Sequence, residues 1–302
     1  MIDALKAILR SEGTSGLVRT VSERIIAWKI AAFKVCRPFL DGFVGLEIGG
    51  PSSIFRRRHI FPAYSIAARI DNCNFGDKTI WEGSIARGET FRYDRRHAPG
   101  QQFIAEATDL DDIATESYDF ILSSHVLEHV ANPIRALTEW IRVLRVGGVI
   151  VLVVPHKQAT FDHRRPITTL EHLVSDFEQG TSESDMTHAP EILNLHDLAR
   201  DPGAGDIEAF RVRTVGNVHN RCLHHHVFDT SLAARVMDYM HLQLLAVEAV
   251  KPHHIFVAAE KLRGGLSPNN ELFLDDHAPY LSASPFQSDR ILSNRRDSPD
   301  AK

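Results

Sequence analysis

Seventeen histidines stand in this 302-residue chain, and they concentrate between His156 and His254. An imidazole changes charge near neutral pH, so a positioned histidine can take or give a proton during a reaction. Two clusters carry such groups: His156-Lys157 followed by Phe161-Asp162-His163-Arg164-Arg165-Pro166, and Asn220-Arg221-Cys222-Leu223-His224-His225-His226 followed by Phe228-Asp229. His156 and His163 are the candidate general bases, because they follow the preceding apolar run most closely. Arg164 and Arg165 offer paired donors for an acidic or phosphorylated ligand, and His224 and His225 are further candidates for binding it. The same density of His, Asp and Glu, with His188, Glu191, His196 and Asp197 further on, could instead hold a divalent ion. No spacing matches a signature such as H-E-x-x-H, so no residue is assigned as a metal ligand. A hydrogen-bonded polar lid without a ligand is the third reading.

These groups need elements to position them. The segment 118–155 encodes a short apolar strand at 120–123, a polar turn, a helix and a second apolar strand at 149–154. Asn132 followed by Pro133 starts the helix with a capping side chain and a proline at its first position. Ile134, Leu137, Ile141 and Leu144 recur at helical spacing, and Gly147-Gly148 stop the run. Strand, helix and parallel strand make a βαβ unit, which predicts an α/β protein with a buried parallel sheet. Ser124 and His125 then fall at the carboxyl end of the first of these strands, where open α/β sheets bind ligands. Earlier strands are expected at 44–48, at 65–70 ending in Asp71, and at 103–105 leading into Glu106-Ala107. Thr168 and Glu171 form a capping-box pattern for a helix that reaches Phe177 and ends at Gly180. After residue 229 a helix begins at Thr230, and 242–250 and 254–260 read as two strands. The short Lys251-Pro252 link makes that last pair antiparallel.

Composition narrows the classes. With 43% hydrophobic residues the chain can bury a large core, and a formal charge of -5 argues against binding nucleic acid through bulk electrostatics. Cys36, Cys73 and Cys222 are odd in number and far apart, which fits a reducing compartment. No signal-peptide core or charge-free membrane span appears, so a cytoplasmic protein without stable membrane insertion is expected. Residues 1–41 are expected to be a helical cover, 42–261 the main domain with 156–229 inserted on its ligand side, and 262–302 a largely disordered tail rich in Pro, Ser, Asn and Asp.

Leu46-Glu47-Ile48-Gly49-Gly50, Leu127-Glu128-His129-Val130 and Arg142-Val143-Leu144-Arg145-Val146-Gly147-Gly148 together resemble the class I S-adenosylmethionine (SAM) dependent methyltransferases. The likeness is to the bacterial group with L-E-H-[VIL] and R-V-L-x-x-G-G runs. It covers roughly 45–155 and returns near 229–261. It implies a doubly wound, mostly parallel, seven-stranded Rossmann-like sheet with a terminal antiparallel hairpin and a His-rich insertion. It implies SAM as cofactor, with Glu47, Gly49 and Gly50 near the methionyl part and Asp71 at the ribose hydroxyls. Glu106 and Ala107 would lie at the adenine, and Ser124 and His125 beside the methionyl end. Pro51 and Ser53 replace the second and third glycines of the family's loop. The reaction implied is methyl transfer, at oxygen, to a small-molecule or glycan-like acceptor. A metal-dependent hydrolase using the insertion and a non-catalytic binding protein on a degenerate methyltransferase fold stay open beside it.

Overall fold

A computed structural model describes residues 29–295. Its centre is an eight-stranded sheet in the order β5-β6-β2-β1-β7-β8-β10-β9. The strands are β1 (Val44–Ile48), β2 (Arg69–Asn74), β5 (Gly88–Phe91), β6 (Gly100–Ile104), β7 (Tyr118–Ser124), β8 (Leu144–Pro155), β9 (Gln243–Val250) and β10 (His254–Glu260), while β3 (Lys78–Thr79) and β4 (Gly83–Ser84) form a separate hairpin. The pairs β1–β2, β1–β7, β2–β6 and β7–β8 are parallel. The pairs β5–β6, β8–β10 and β9–β10 are antiparallel. Seven strands were expected; the eighth is β5, a short antiparallel edge whose Gly-Glu-Thr-Phe sequence carries almost no alternation to betray it.

The apolar runs read as strands because both faces of the sheet are covered. In β8, Ile150, Leu152 and Val154 enter the core on one face, and Val149, Val151 and Val153 enter the core on the other. The first face is packed by the helices Pro133–Val143 and Thr230–Tyr239, the second by the helix Ala31–Leu40 with the turns around Phe55, Phe61 and Tyr64. The part of the N-terminal cover at 1–28 lies outside the described residues.

Local signals act near their expected places, with shifts. Asn132 accepts from the Arg135 N–H at 3.1 Å and caps its helix, which stops at Val143; the strand starts at Leu144 and runs through the two glycines. Thr169, not Thr168, caps Leu170–Gln179, and Thr168 Oγ1 instead accepts from Val227 N–H at 2.9 Å. The expected disordered tail is corrected as far as residue 295. Helices Glu271–Leu274, Pro279–Ala283 and Gln287–Arg295 dock there, with Tyr280, Leu281, Phe286 and Asp289 buried. Asn270 clips this stretch down by accepting from Leu244 N–H and donating to Leu242 O, both at 2.8 Å.

The insertion folds around its own small core of Ile192, Ala204, Phe210 and Leu223. Its two ends lie side by side: Lys157 N–H donates to Phe228 O and Thr168 N–H to Val227 O. It therefore leaves and rejoins the sheet at one place, beyond the carboxyl end of β8.

Candidate functional site

The chain builds β1, β2 and β6 to one side and β7 and β8 to the other, so a crevice opens where the order reverses between β1 and β7. A cavity of about 310 Å³ lies there. Gly49, Asn74, Glu106 and Ala107 line it from the ends of β1, β2 and β6, and Ser124, His125, Val126 and His129 line it after β7. His254 enters from β10, and Glu183 and Arg221 close it from the insertion.

The turn after β1 is tight. Gly49 has φ +79°, and a Cβ there would meet Val126 Cγ2 at 2.4 Å, so only glycine lets the two loops close. Glu47 and Gly50 do not line the cavity. Glu47 is buried and accepts from Tyr64 Oη at 2.6 Å and from Ser52 N–H at 2.9 Å; burial pushes its carboxyl up to about 7. Gly50 N–H donates to Asn72 Oδ1 at 2.9 Å, and a Cβ on Gly50 would strike the Glu47 carboxylate. Both residues shape the loop rather than face the space.

Asp71 is also displaced from its expected place. β2 runs four residues beyond Ile70, so Asp71 lies mid-strand and buried, accepting from Tyr118 Oη at 2.9 Å, Gln101 N–H at 2.8 Å and Arg69 at 3.0 Å. Asn74 occupies the strand end instead and lines the cavity. Glu106 does face the cavity, where it pairs with Arg221; Arg221 also reaches Glu183 at 3.2 Å and lies over the Phe75 ring.

His125 adopts φ +56°, a conformation costing a non-glycine residue on the order of 1–3 kcal/mol, and its N–H is anchored on Val153 O at 2.8 Å. Its Nδ1 stands 3.4 Å from Glu128 Oε1, and its Nε2 is 2.9 Å from His254 Nδ1. Burial alone would raise the Glu128 carboxyl, but the hydrogen bond from His125 and the neighbouring imidazoles outweigh it and hold the carboxyl below its usual range. Burial pushes His254 down to about 3 and His129 to about 4, so both are neutral at pH 7. The L-E-H-V run is thus a 3₁₀ turn that drives Leu127 and Glu128 inward beneath His125.

The expected catalytic and acceptor-binding residues of the insertion lie elsewhere. His156 is fully buried, stacked on Phe286 and bonded to Asp289 Oδ1 at 3.1 Å. His163 is bonded to Asp197 Oδ2 at 2.9 Å, and Arg164 pairs with the same carboxylate. Arg165, 1% exposed, is the internal brace of the insertion: it binds Asp162, Glu191 and the carbonyls of His224 and His225. His224 Nδ1 meets Asp162 at 2.5 Å, and His225 Nε2 meets Asn217 at 3.1 Å. None of these six lines the cavity. Their partners come from other parts of the fold, so proximity to β8 in sequence was the wrong guide. Trp81, Glu82, Glu183 and His254 were missed; only Arg221 fell in a cluster already noticed.

The cavity can be tested against the implied cofactor. SAM joins a cationic sulfonium and an amino acid to a ribose and an adenine. The cavity offers close backbone approach at Gly49, apolar surface from Ile48, Ala105, Ala107 and Val126, the Asn74 carboxamide, and three carboxylates at Glu82, Glu106 and Glu183. Those groups fit.

Residues 83–152, from β4 to the middle of β8, match the family model described as a methyltransferase domain. The chain therefore carries a stretch similar to a methyltransferase domain. Similar solved structures include a SAM-dependent methyltransferase from Aquifex aeolicus (10% identity, TM-score 0.42, covering 80% of this chain and 93% of that one). Another is from Mesorhizobium loti (14%, 0.44, 76% and 95%). A third is the Burkholderia thailandensis 1,6-didemethyltoxoflavin-N1-methyltransferase, solved with bound 1,6-didemethyltoxoflavin and S-adenosylhomocysteine (14%, 0.41, 86% and 90%). No curated protein matches the chain.

Proposed function

We propose that this methyltransferase methylates a hydroxyl of a small-molecule or glycan-like acceptor, with His125 taking the proton. The observation that carries this reading is the Glu128–His125 pair at the cavity wall. A buried carboxylate 3.4 Å from Nδ1 favours the tautomer with its proton on Nδ1, so Nε2, which faces His254 Nδ1 at 2.9 Å, becomes the acceptor when the substrate hydroxyl takes the place of that contact. When bound, SAM supplies a methyl group on a positively charged sulfur, open to in-line attack. Gly49, Asn74, Glu106, Ala107 and Ser124 would hold it, the glycine by close approach and the polar side chains at its hydroxyl and amino groups. The chain's own task is to hold the acceptor in line and accept its proton.

The acceptor side carries Trp81, 53% exposed, whose indole offers a flat apolar face. Glu82, Glu183 and Arg221 line the same cavity and add hydrogen-bonding groups. That mix of one aromatic face and several hydrogen-bonding side chains suits a polyhydroxylated ring. A cytoplasmic setting belongs to the same reading and is supported by three unpaired cysteines. Among the described residues no helix is long and apolar enough to cross a membrane.

The test has two parts. Calorimetric titration with S-adenosylhomocysteine is expected to show one site per chain. Methyl transfer from labelled SAM to a panel of free and nucleotide-linked sugars is then expected to give an O-methyl product; a product methylated at nitrogen or carbon overturns the acceptor assignment.

A further inference from the structure

The insertion holds a second constellation, away from the cavity. His172 and Asp176 are one helical turn apart on Leu170–Gln179, so they share a face. His188 stands at the start of the helix Ala189–Leu195, and the His226 side chain lies fully buried on the irregular segment that leads back to Phe228. The three elements bring four donor atoms together. His172 Nε2 is 3.1 Å from His188 Nε2 and 3.3 Å from Asp176 Oδ2, Asp176 Oδ2 is 3.0 Å from His226 Nε2, and all four lie within 4.8 Å of one another.

We infer that these four side chains are a structural zinc site, tetrahedral and closed. Zinc binds imidazole nitrogen and carboxylate oxygen at about 2.0–2.2 Å, which separates ligand atoms by about 3.3 Å on the edges of a tetrahedron. The three separations above, 3.0, 3.1 and 3.3 Å, are close to that length, and the remaining pairs lie within 4.8 Å. Hydrogen bonding alone serves the cluster poorly: His172 Nε2 has at most one proton for its two partners, His188 Nε2 and Asp176 Oδ2. The remaining Asp176 oxygen is held by Thr181 Oγ1 at 3.2 Å, the outer support that a metal-bound carboxylate needs.

Four protein ligands leave no position for water, so the ion has a structural role. It fastens the loop between Asp176 and His188 to the segment carrying His226. That loop contains Glu183, which lines the cavity and accepts from Ala131 N–H at 3.0 Å. The site is independent of the acceptor assignment.

The experiment uses the full chain. Protein stripped with a chelator is titrated with Zn²⁺ against a chromophoric competitor, and in parallel loaded with Co²⁺. One ion per chain and the intense visible bands of four-coordinate cobalt are expected. His188→Ala and Asp176→Asn should each weaken Zn²⁺ binding by more than about 100-fold, the upper end of what losing even an outer-shell partner costs. His253→Ala, in a separate histidine cluster at the cavity, should leave it unchanged. Absence of stoichiometric Zn²⁺, or only the weak bands of six-coordinate cobalt, overturns the site without recourse to any variant. So does loss of Zn²⁺ in His253→Ala with retention in His188→Ala.

Discussion

The imidazoles of His125 and His254 meet at 2.9 Å although 129 residues separate them in the chain. One sits on the strained turn after β7 and the other opens the last strand, so the terminal hairpin completes the cavity wall. Glu128 holds the Nδ1 side of His125, so a proton taken from the acceptor goes to Nε2 in exchange for the His254 contact. His125→Ala is expected to lower kcat by about 10²–10⁴-fold while S-adenosylhomocysteine affinity, read by calorimetry, stays within a few fold. A variant that turns over at the native rate removes His125 as the base.

Asn74 and Asp71 divide between them what one acid was expected to do. Asn74→Ala should weaken S-adenosylhomocysteine binding by about 1–2 kcal/mol, the loss of one hydrogen bond at a buried position. Asp71→Asn should leave that affinity alone and lower stability by about 1.5–3 kcal/mol, because Tyr118, Arg69 and the Gln101 amide lose a charged acceptor. Paired calorimetry and urea unfolding separate the two effects; the reverse pattern would restore Asp71 to the ligand.

Arg165 braces four groups from inside the insertion. Arg165→Ala is expected to cost about 3–5 kcal/mol, the scale for stranding a buried charge partner. Since the insertion carries Arg221 and Glu183, the same variant should raise the acceptor KM. Unchanged thermal unfolding would show that the insertion does not depend on this brace.

Acid should destabilise the protein through its buried imidazoles. His129 titrates at about 4 in the folded state because burial penalises its charge, whereas an unfolded histidine titrates near 6.5. Between those values the unfolded chain binds more protons, so stability falls as pH drops through the window, by about 1.4 kcal/mol per pH unit for this group. His254 extends the same trend down to about pH 3. Thermal unfolding followed from pH 7 to pH 4.5 should show the decline, and His129→Gln should flatten it. An identical slope in the variant would mean that His129 charges without hindrance.

The parts visible in the sequence are those where burial and backbone geometry act on one short stretch. β7 and β8 could be read because both faces are covered, which leaves an unbroken apolar run, and Gly49 because close loops demand glycine there. Asn132 announced its helix by a local hydrogen bond. β2 was cut short at Ile70 because Asp71, Asn72 and Asn74 look like a turn. They are strand residues whose polar groups are satisfied by Gly50, Gln101, Gln102 and Tyr118, partners that polarity alone does not reveal. Trp81, Glu183 and His254 reach the cavity only through tertiary packing. The histidines nearest β8 in sequence were poor guides for the same reason, since His156 turns away from the cavity to a partner 133 residues later.

That partner has a bearing on the order of assembly during synthesis. Asp289 receives His156, Thr230 and Ser284 in one buried knot, yet it is made 133 residues after the histidine. Until it emerges, a nascent chain carries the His156 imidazole at the end of a central strand with no acceptor, at the cost of an unsatisfied buried group. The sheet can form beforehand, but this polar contact closes only once Asp289 has emerged. A chain stopped before Asp289 would therefore keep every residue that lines the cavity and leave an open seam beside β8, the kind of exposed surface that draws chaperones and proteases.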